Sequence, residues 1–470
     1  MKALRFIMLN LLVLCTLNSC FEDLDDNPAT DQDIKDFVYR AMFEWYIYKD
    51  EMPQLQTNRA ESSDYDSYLN SFSSPENLFE SLIYERQTID RFSAITDDYF
   101  ALEQQLNGTS YHNGMEYGLF RFSSTDTDVF GYVRYILPST DAENKGLVRG
   151  DIFHSVNGTQ LTINNYRSLL GTNSYTIALG SYDDNGTPND VTDDFISDIN
   201  QQIQLTKVPY TENPVYDYDV FNIGGEQVGY LMYNGFTGDF NNQLNDVFGY
   251  FSSNGVQKLV LDLRYNPGGS VNSARLLGSM ITGQFNGAAF SSLNYNDQKQ
   301  NFNSTYNFTN SFNGTSINSL NLNKVYVIAT GSSASASEMV INSLSSYIEV
   351  VHIGKNTVGK SQASSIIYDS PDYGPQNVNP THTYALLPLI AITRNAEGLA
   401  VPNSGLVPDV EIGEKVNDLG SIGNQMEPLL AAALQVIENG GRQAALSSKG
   451  LEIIGDNHDL EPNSQIMIAD

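Results

Sequence analysis

Two clusters in this chain combine residue types and spacings that can do chemistry. The first is the run Ser333-Ala334-Ser335-Ala336-Ser337-Glu338, with a Gly359-Lys360 pair whose lysine follows Ser335 by twenty-five positions. The run lies between an apolar strand-like stretch, Val325 to Ala329, and a helix-like stretch, Met339 to Leu344. A small-residue turn there sets a hydroxyl at a helix N-terminus, where backbone N–H groups and the helix dipole favour developing negative charge. A lysine can serve as base for such a serine without any histidine. The second cluster, Asp262-Leu263-Arg264-Tyr265-Asn266-Pro267-Gly268-Gly269, leaves one strand and opens a helix. Its paired glycines let the backbone approach a ligand and present N–H groups to an oxyanion or a phosphate; a plain strand-to-helix turn explains them equally well.

A third pattern is a trap. Gly354-Lys355-Asn356-Thr357-Val358-Gly359-Lys360-Ser361 fits G-x-x-x-x-G-K-[ST] and follows the strand Val350 to Ile353. A nucleotide-binding loop of that type must open a helix, whereas Gln362 to Tyr368 reads as a strand, so no nucleotide is expected. The histidines His112, His154, His352, His382 and His458 show no metal-ligand spacing. The acidic stretch Asp183 to Asp194 lacks the glutamate that ends a calcium loop and reads as a hairpin tip. Neither metal nor cofactor is predicted. His352 and His382 keep a Ser-His arrangement open.

The elements around these clusters predict a multidomain α/β protein. Strands at Val228–Tyr233, Lys258–Leu263, Val325–Ala329 and Ile348–Ile353 alternate with helices at Asn272–Met280 and Ser337–Ser345, which indicates βαβ units over residues 213–415. Residues 31–105 read as a small helical domain, with Phe37, Val38, Met42, Trp45 and Tyr46 at helical spacing on a core face. In residues 106–212, turn chemistry predicts a short helix ending at Gly146, a tight Gly150-Asp151 turn and a strand running into an Asn157-Gly158 hairpin. Residues 416–470 hold one helix, Met426 to Glu438, and a polar tail with little core potential.

Composition narrows the partners. The 470 residues carry 56 acidic against 25 basic side chains, a formal charge of −31 with no basic run, which argues against nucleic acid. Residues 1–20 combine a short positive start, an apolar Phe6–Leu17 stretch and Leu17-Asn18-Ser19-Cys20. That sequence resembles the lipobox of bacterial lipoproteins, which implies lipidation at Cys20 and loss of Cys15, so no free thiol remains for disulfides or catalysis. The acidic tether that follows, residues 21–30, is similar to that of surface-exposed Bacteroidetes lipoproteins. A lipid-anchored protein of the cell envelope is expected.

The segment 106–212 resembles a PDZ domain, with Tyr117-Gly118-Leu119-Phe120 in the place of the peptide-binding loop. Such domains take an extended peptide as an added strand. The "DLR-x-N-x-GG" turn, the "SASASE" turn and the Gly-Lys pair, in that order behind a PDZ-like segment, resemble the C-terminal processing (tail-specific) serine proteases. That resemblance implies a crotonase-like catalytic domain and a serine endopeptidase acting on extended or C-terminal protein segments. It assigns Ser335 as nucleophile, Lys360 as base, and the N–H groups of Ala336 and of Gly268 or Gly269 as the oxyanion hole. Gln362 matches the family's glutamine only with a displacement: it follows the lysine by two positions rather than four, and Ser364 holds the other place. The rival reading is a catalytically weak PDZ-containing lipoprotein that binds or scaffolds peptides.

Overall fold

The computed structural model describes residues 28–187, 190, 191, 193–439, 451–460 and 465–469. The lipobox and Cys20 lie outside them. Among the described residues no helix is long and apolar enough to cross a membrane.

The helix Asp31–Trp45 begins with a reciprocal cap, in which Thr30 Oγ1 accepts from Asp33 N and the Asp33 carboxylate accepts from Thr30 N. Its Phe37, Val38 and Met42 face packs on Leu78 and Phe79 of the helix Pro75–Ser81, and on Ile367, Leu386 and Leu389 from far along the chain. The strand Ala94–Thr96 pairs antiparallel with Ala385–Leu387. The aromatic stripe is therefore a core face, and the helical unit is joined to the α/β region by both packing and a ladder.

That region is built on a six-stranded sheet in the order Val215–Ile223, Glu226–Tyr233, Lys258–Asp262, Lys324–Ala329, Glu349–Gly354, Val410–Glu411. All neighbours from the second strand onward are parallel. Alternate residues of one strand enter opposite cores. Leu259 and Leu261 pack with the helices Asn241–Ser253, Val271–Thr282 and Ala336–Leu344, while Val260 packs with the helix Pro428–Asn439. Burial on both faces explains why these strands read as continuous apolar runs. A second six-stranded sheet follows the order Gly269–Ser270, Met467–Ile468, Gln362–Ser364, Leu389–Arg394, Ala289–Tyr295, Ser304–Asn307.

The β-rich segment contributes Met115–Arg121, Phe130–Ile136, Ile152–Val156, Ser174–Asp183 and Phe195–Thr206 to a third sheet. The described acidic residues between Asp183 and Asp194 lie at the tip of its long hairpin, where Asn185 Nδ2 donates to Asp193 at 2.9 Å. The segment after Lys360 is the strand Gln362–Ser364, as its sequence predicts.

The tail departs from expectation. Helix Pro428–Asn439 forms, but the residues beyond it are not a bystander. Glu452–Asp456 joins the third sheet at the Met115–Arg121 edge, and Met467–Ile468 lies inside the second, with Met467 fully buried. Strands of five and two residues carry too little periodicity to be read from the sequence.

Candidate active site

Ser335 stands between the strand Lys324–Ala329 and the helix Ala336–Leu344 with φ 63° and ψ −114°. Positive φ at a non-glycine residue costs energy and persists only where the surroundings impose it. Here the imposing contacts come from the Asp262–Gly269 turn. Ala334 N and Ser337 Oγ both donate to Asn266 O, at 3.1 and 3.0 Å, and Ser333 Oγ donates to Leu263 O at 2.7 Å. The Ser335 hydroxyl is buried, and its oxygen has no hydrogen-bond partner.

Glu338, three residues on, joins Ser335 to Lys360. Its Oε2 accepts from Ser335 N at 2.9 Å and from Lys360 N at 2.8 Å; its Oε1 accepts from Gly359 N at 2.7 Å and Thr357 Oγ1 at 2.5 Å. One buried carboxylate thus fixes both backbones. Gly359 has φ 87°, and a Cβ there would meet Asn403 O at 2.2 Å, so only glycine lets the chain turn into Lys360.

Lys360 is 1% exposed. Burial pushes its pKa down to about 7, against the opposing pull of Asp90 and Glu338. Its Nζ sits 4.8 Å from the centre of the Phe92 ring and donates to Gln465 O at 2.6 Å. Asp90 is held by Tyr46 Oη, Ser93 N and Ser93 Oγ, at 2.7, 2.8 and 2.6 Å. Arg91 donates to Val358 O at 2.9 Å. The helical domain therefore supplies one wall of the lysine's site. Neither Asp90 nor Phe92 carries a local signature that could have revealed this.

The paired glycines do different work. Gly268 N donates to Asn266 Oδ1 at 2.9 Å and is not available to a ligand, whereas Gly269 N donates to Ile466 O at 2.7 Å. Of the two predicted donors, Gly269 is the one that engages a peptide carbonyl. Both have φ above 110°, and a Cβ on Gly268 would lie 2.6 Å from Ile466 O and 2.8 Å from Ser335 Oγ. The carbonyl of Ile466 and the serine hydroxyl thus crowd the same glycine. Ala336 opens the helix behind Ser335.

The remaining candidates sit as follows. Gln362 is buried and donates to Tyr48 Oη at 2.6 Å; no hydrogen bond joins it to Ser335 or Lys360. His352 Nε2 faces Ala329 O, and His382 Nε2 lies 2.9 Å from Asp369, so neither is hydrogen-bonded to the serine. Tyr117 and Leu119 turn their side chains into the third sheet's core, and the backbone of Gly118 to Arg121 pairs with Glu452–Asp456. Phe120 stacks on Tyr132 at 5.0 Å. A strained, unbonded hydroxyl, a desolvated amine on a residue whose backbone N–H the same carboxylate holds, and a carbonyl-binding N–H form a site suited to nucleophilic attack on a peptide carbonyl.

Two family profiles match the chain: the peptidase S41 N-terminal domain over residues 33–94 and peptidase family S41 over residues 227–411. Together they cover more than half of it. A carboxyl-terminal-processing protease from Picosynechococcus sp. is 24% identical over 176 residues, 37% of this chain. That alignment spans only 39% of the relative's length. The crystal structure of an S41 protease from Bacteroides fragilis superposes with a TM-score of 0.67 at 26% identity, over 86% of this chain and 97% of that one. The photosystem II D1 C-terminal processing protease shares the fold, with a TM-score of 0.52 at 18% identity over 87% and 98% of the two chains. Both clusters, around Gly268-Gly269 and around Ser335 and Lys360, fall within the second matched region, and the chain belongs to peptidase family S41.

Proposed function

We propose that this chain is a serine endopeptidase that cleaves extended or C-terminal protein segments with Ser335 as nucleophile and Lys360 as base. The observation that carries the reading is the pairing of a strained serine with a buried lysine through Glu338, with the amine's pKa pushed down to about 7. A lysine accepts a proton only when neutral, and burial supplies that form near neutral pH. Ser335 Oγ attacks the carbonyl carbon while Lys360 Nζ takes its proton, and the Gly269 and Ala336 N–H groups receive the oxyanion. Collapse breaks the C–N bond, Lys360 returns the proton to the leaving amine, and water releases the acyl group by the same route.

Membership in the family and a relative named for carboxyl-terminal processing support this substrate class. Residues 106–212 act in this reading as a PDZ-like domain that captures substrate, supported by an edge at Met115–Arg121 that accepts an added strand. Lipidation at Cys20 would hold the enzyme on an envelope membrane; a Cys20→Ala protein recovered in the soluble fraction is the expected outcome, and one that stays with membranes contradicts it.

A fluorophosphonate probe and casein hydrolysis test the activity. Wild-type protein is expected to be labelled and to cleave, and Ser335→Ala to do neither while remaining folded. A folded wild type that neither labels nor cleaves supports the weakly catalytic scaffold instead.

A further inference from the structure

The tail occupies both places where a substrate peptide is expected. At the third sheet, Glu452–Asp456 pairs antiparallel with Gly118–Arg121, in the register Glu452 with Arg121, Ile453 with Phe120, Gly455 with Leu119 and Asp456 with Gly118. Specific polar contacts fix it: Arg134 to Asp456 at 2.7 Å, Asn457 Nδ2 to Glu116 Oε2 at 2.7 Å, and Tyr117 N to Asn457 Oδ1 at 3.1 Å. Arg134, Glu116 and Asn457 are all buried.

At the catalytic site, the tail lies parallel to Gly269–Ser270 and to Ser364. The carbonyl of Ile466 takes the Gly269 N–H at 2.7 Å, the carbonyl of Gln465 accepts from Lys360 Nζ at 2.6 Å, and Ala469 N donates to Ser364 O at 3.0 Å. Ile466 is 5% exposed and packs against Leu102 and Leu387, with Leu106 and Ile366 at the margin. With the tail in place, Lys360 is bonded to Gln465, and Ser335 Oγ is left without a partner.

We propose that the C-terminal segment is a tethered mimic of the substrate. It excludes peptides until it is displaced, and the Leu102–Leu387 pocket that holds Ile466 selects an aliphatic side chain in the segment to be cleaved. This rests on the peptidase reading and adds a substrate class to it. A tethered segment competes at the millimolar effective concentrations typical of short links, so incoming peptides must either bind well or first engage the Gly118–Arg121 edge. An aspartate in the apolar pocket has no partner there, and the tail should leave.

The test uses the full-length chain. Ile466→Asp, with its fold checked by circular dichroism, is expected to lower KM for an aliphatic fluorogenic peptide by about tenfold or more with little change in kcat. It should bind a labelled synthetic peptide of residues 451–470 by fluorescence anisotropy, which the wild type, with its tail in place, should bind far more weakly. The same peptide carrying the Ile466→Asp change should not bind. Asp456→Arg, at the tail's other anchor, serves where Ile466→Asp fails to fold and is expected to lower KM in the same direction. An unchanged or raised KM in a folded variant, or a labelled peptide that binds none of the proteins, overturns the proposal and leaves the tail as a structural strand. The anisotropy arm needs no activity, so absence of fluorophosphonate labelling with peptide binding intact would overturn the peptidase reading alone.

Discussion

Two buried polar clusters, one around Arg264 and one around Ser335 and Lys360, behave in opposite ways. In the first, Arg264 is fully buried and bonds both oxygens of Asp262 and both of Glu427, while Arg149, Glu414 and Tyr265 close the network. Burial pushes the Glu414 carboxyl up, but the Arg149 and Arg264 guanidiniums outweigh it and hold the pKa at about 2. In the second, Ser335 Oγ has no partner, and burial outweighs every neighbouring carboxylate to pull Lys360 down. Partner count separates the two. A buried group whose bonding capacity is filled stays in one protonation state and serves the fold; one left short of partners is poised to change state.

Substitutions can break this contrast, and the largest effect is expected at Ser335. Ser335→Ala should reduce kcat/KM by about 10⁴-fold or more with no loss of stability, measured by peptide hydrolysis beside thermal unfolding. Lys360→Met should be as inactive yet more heat-stable than wild type at pH 7. The free amine binds a proton up to about pH 10.5 and the folded one only up to about 7, so stability rises with pH across that window and removing the amine relieves the penalty below it. Arg264→Ala should behave in reverse, losing about 3–5 kcal/mol of unfolding free energy because Asp262 and Glu427 are left buried and unpaired. Glu338→Gln should lower kcat by about 10²-fold with a smaller change in KM, since the amide can no longer hold both backbones through two acceptor oxygens. Gln362→Ala, whose Nε2 bonds Tyr48, is expected to cost less than about tenfold; a loss as large as that of Glu338→Gln would place Gln362 in the chemistry.

The difference between the clusters also explains what the sequence could reveal. Ser335, Lys360 and the Gly268-Gly269 turn stand out in the sequence because short motifs of small residues mark them, although contacts between the two distant turns impose their geometry. The parallel strands were legible because burial on both faces leaves unbroken apolar runs such as Val325 to Ala329. Glu338 was visible as a letter of its motif but not as a tie, because its partners Thr357 and Gly359 become neighbours only after the crossover. Asp90 and Phe92 reach Lys360 from a separate helical unit, with nothing in their own segment to mark them. The core role of the tail is invisible in the sequence because a two-residue strand carrying Met467 has no period to detect.

In the proposed mechanism Ser335 reacts because buried Lys360 is neutral near pH 7. The most direct test is the rate of fluorophosphonate labelling as a function of pH, with the labelled residue located by mass spectrometry. A single adduct on Ser335 is expected, with a formation rate that rises through a transition near pH 7 and levels above it, and no adduct in Lys360→Met. An adduct on another residue, or a rate that keeps climbing toward pH 10 as an ordinary lysine would dictate, would contradict it.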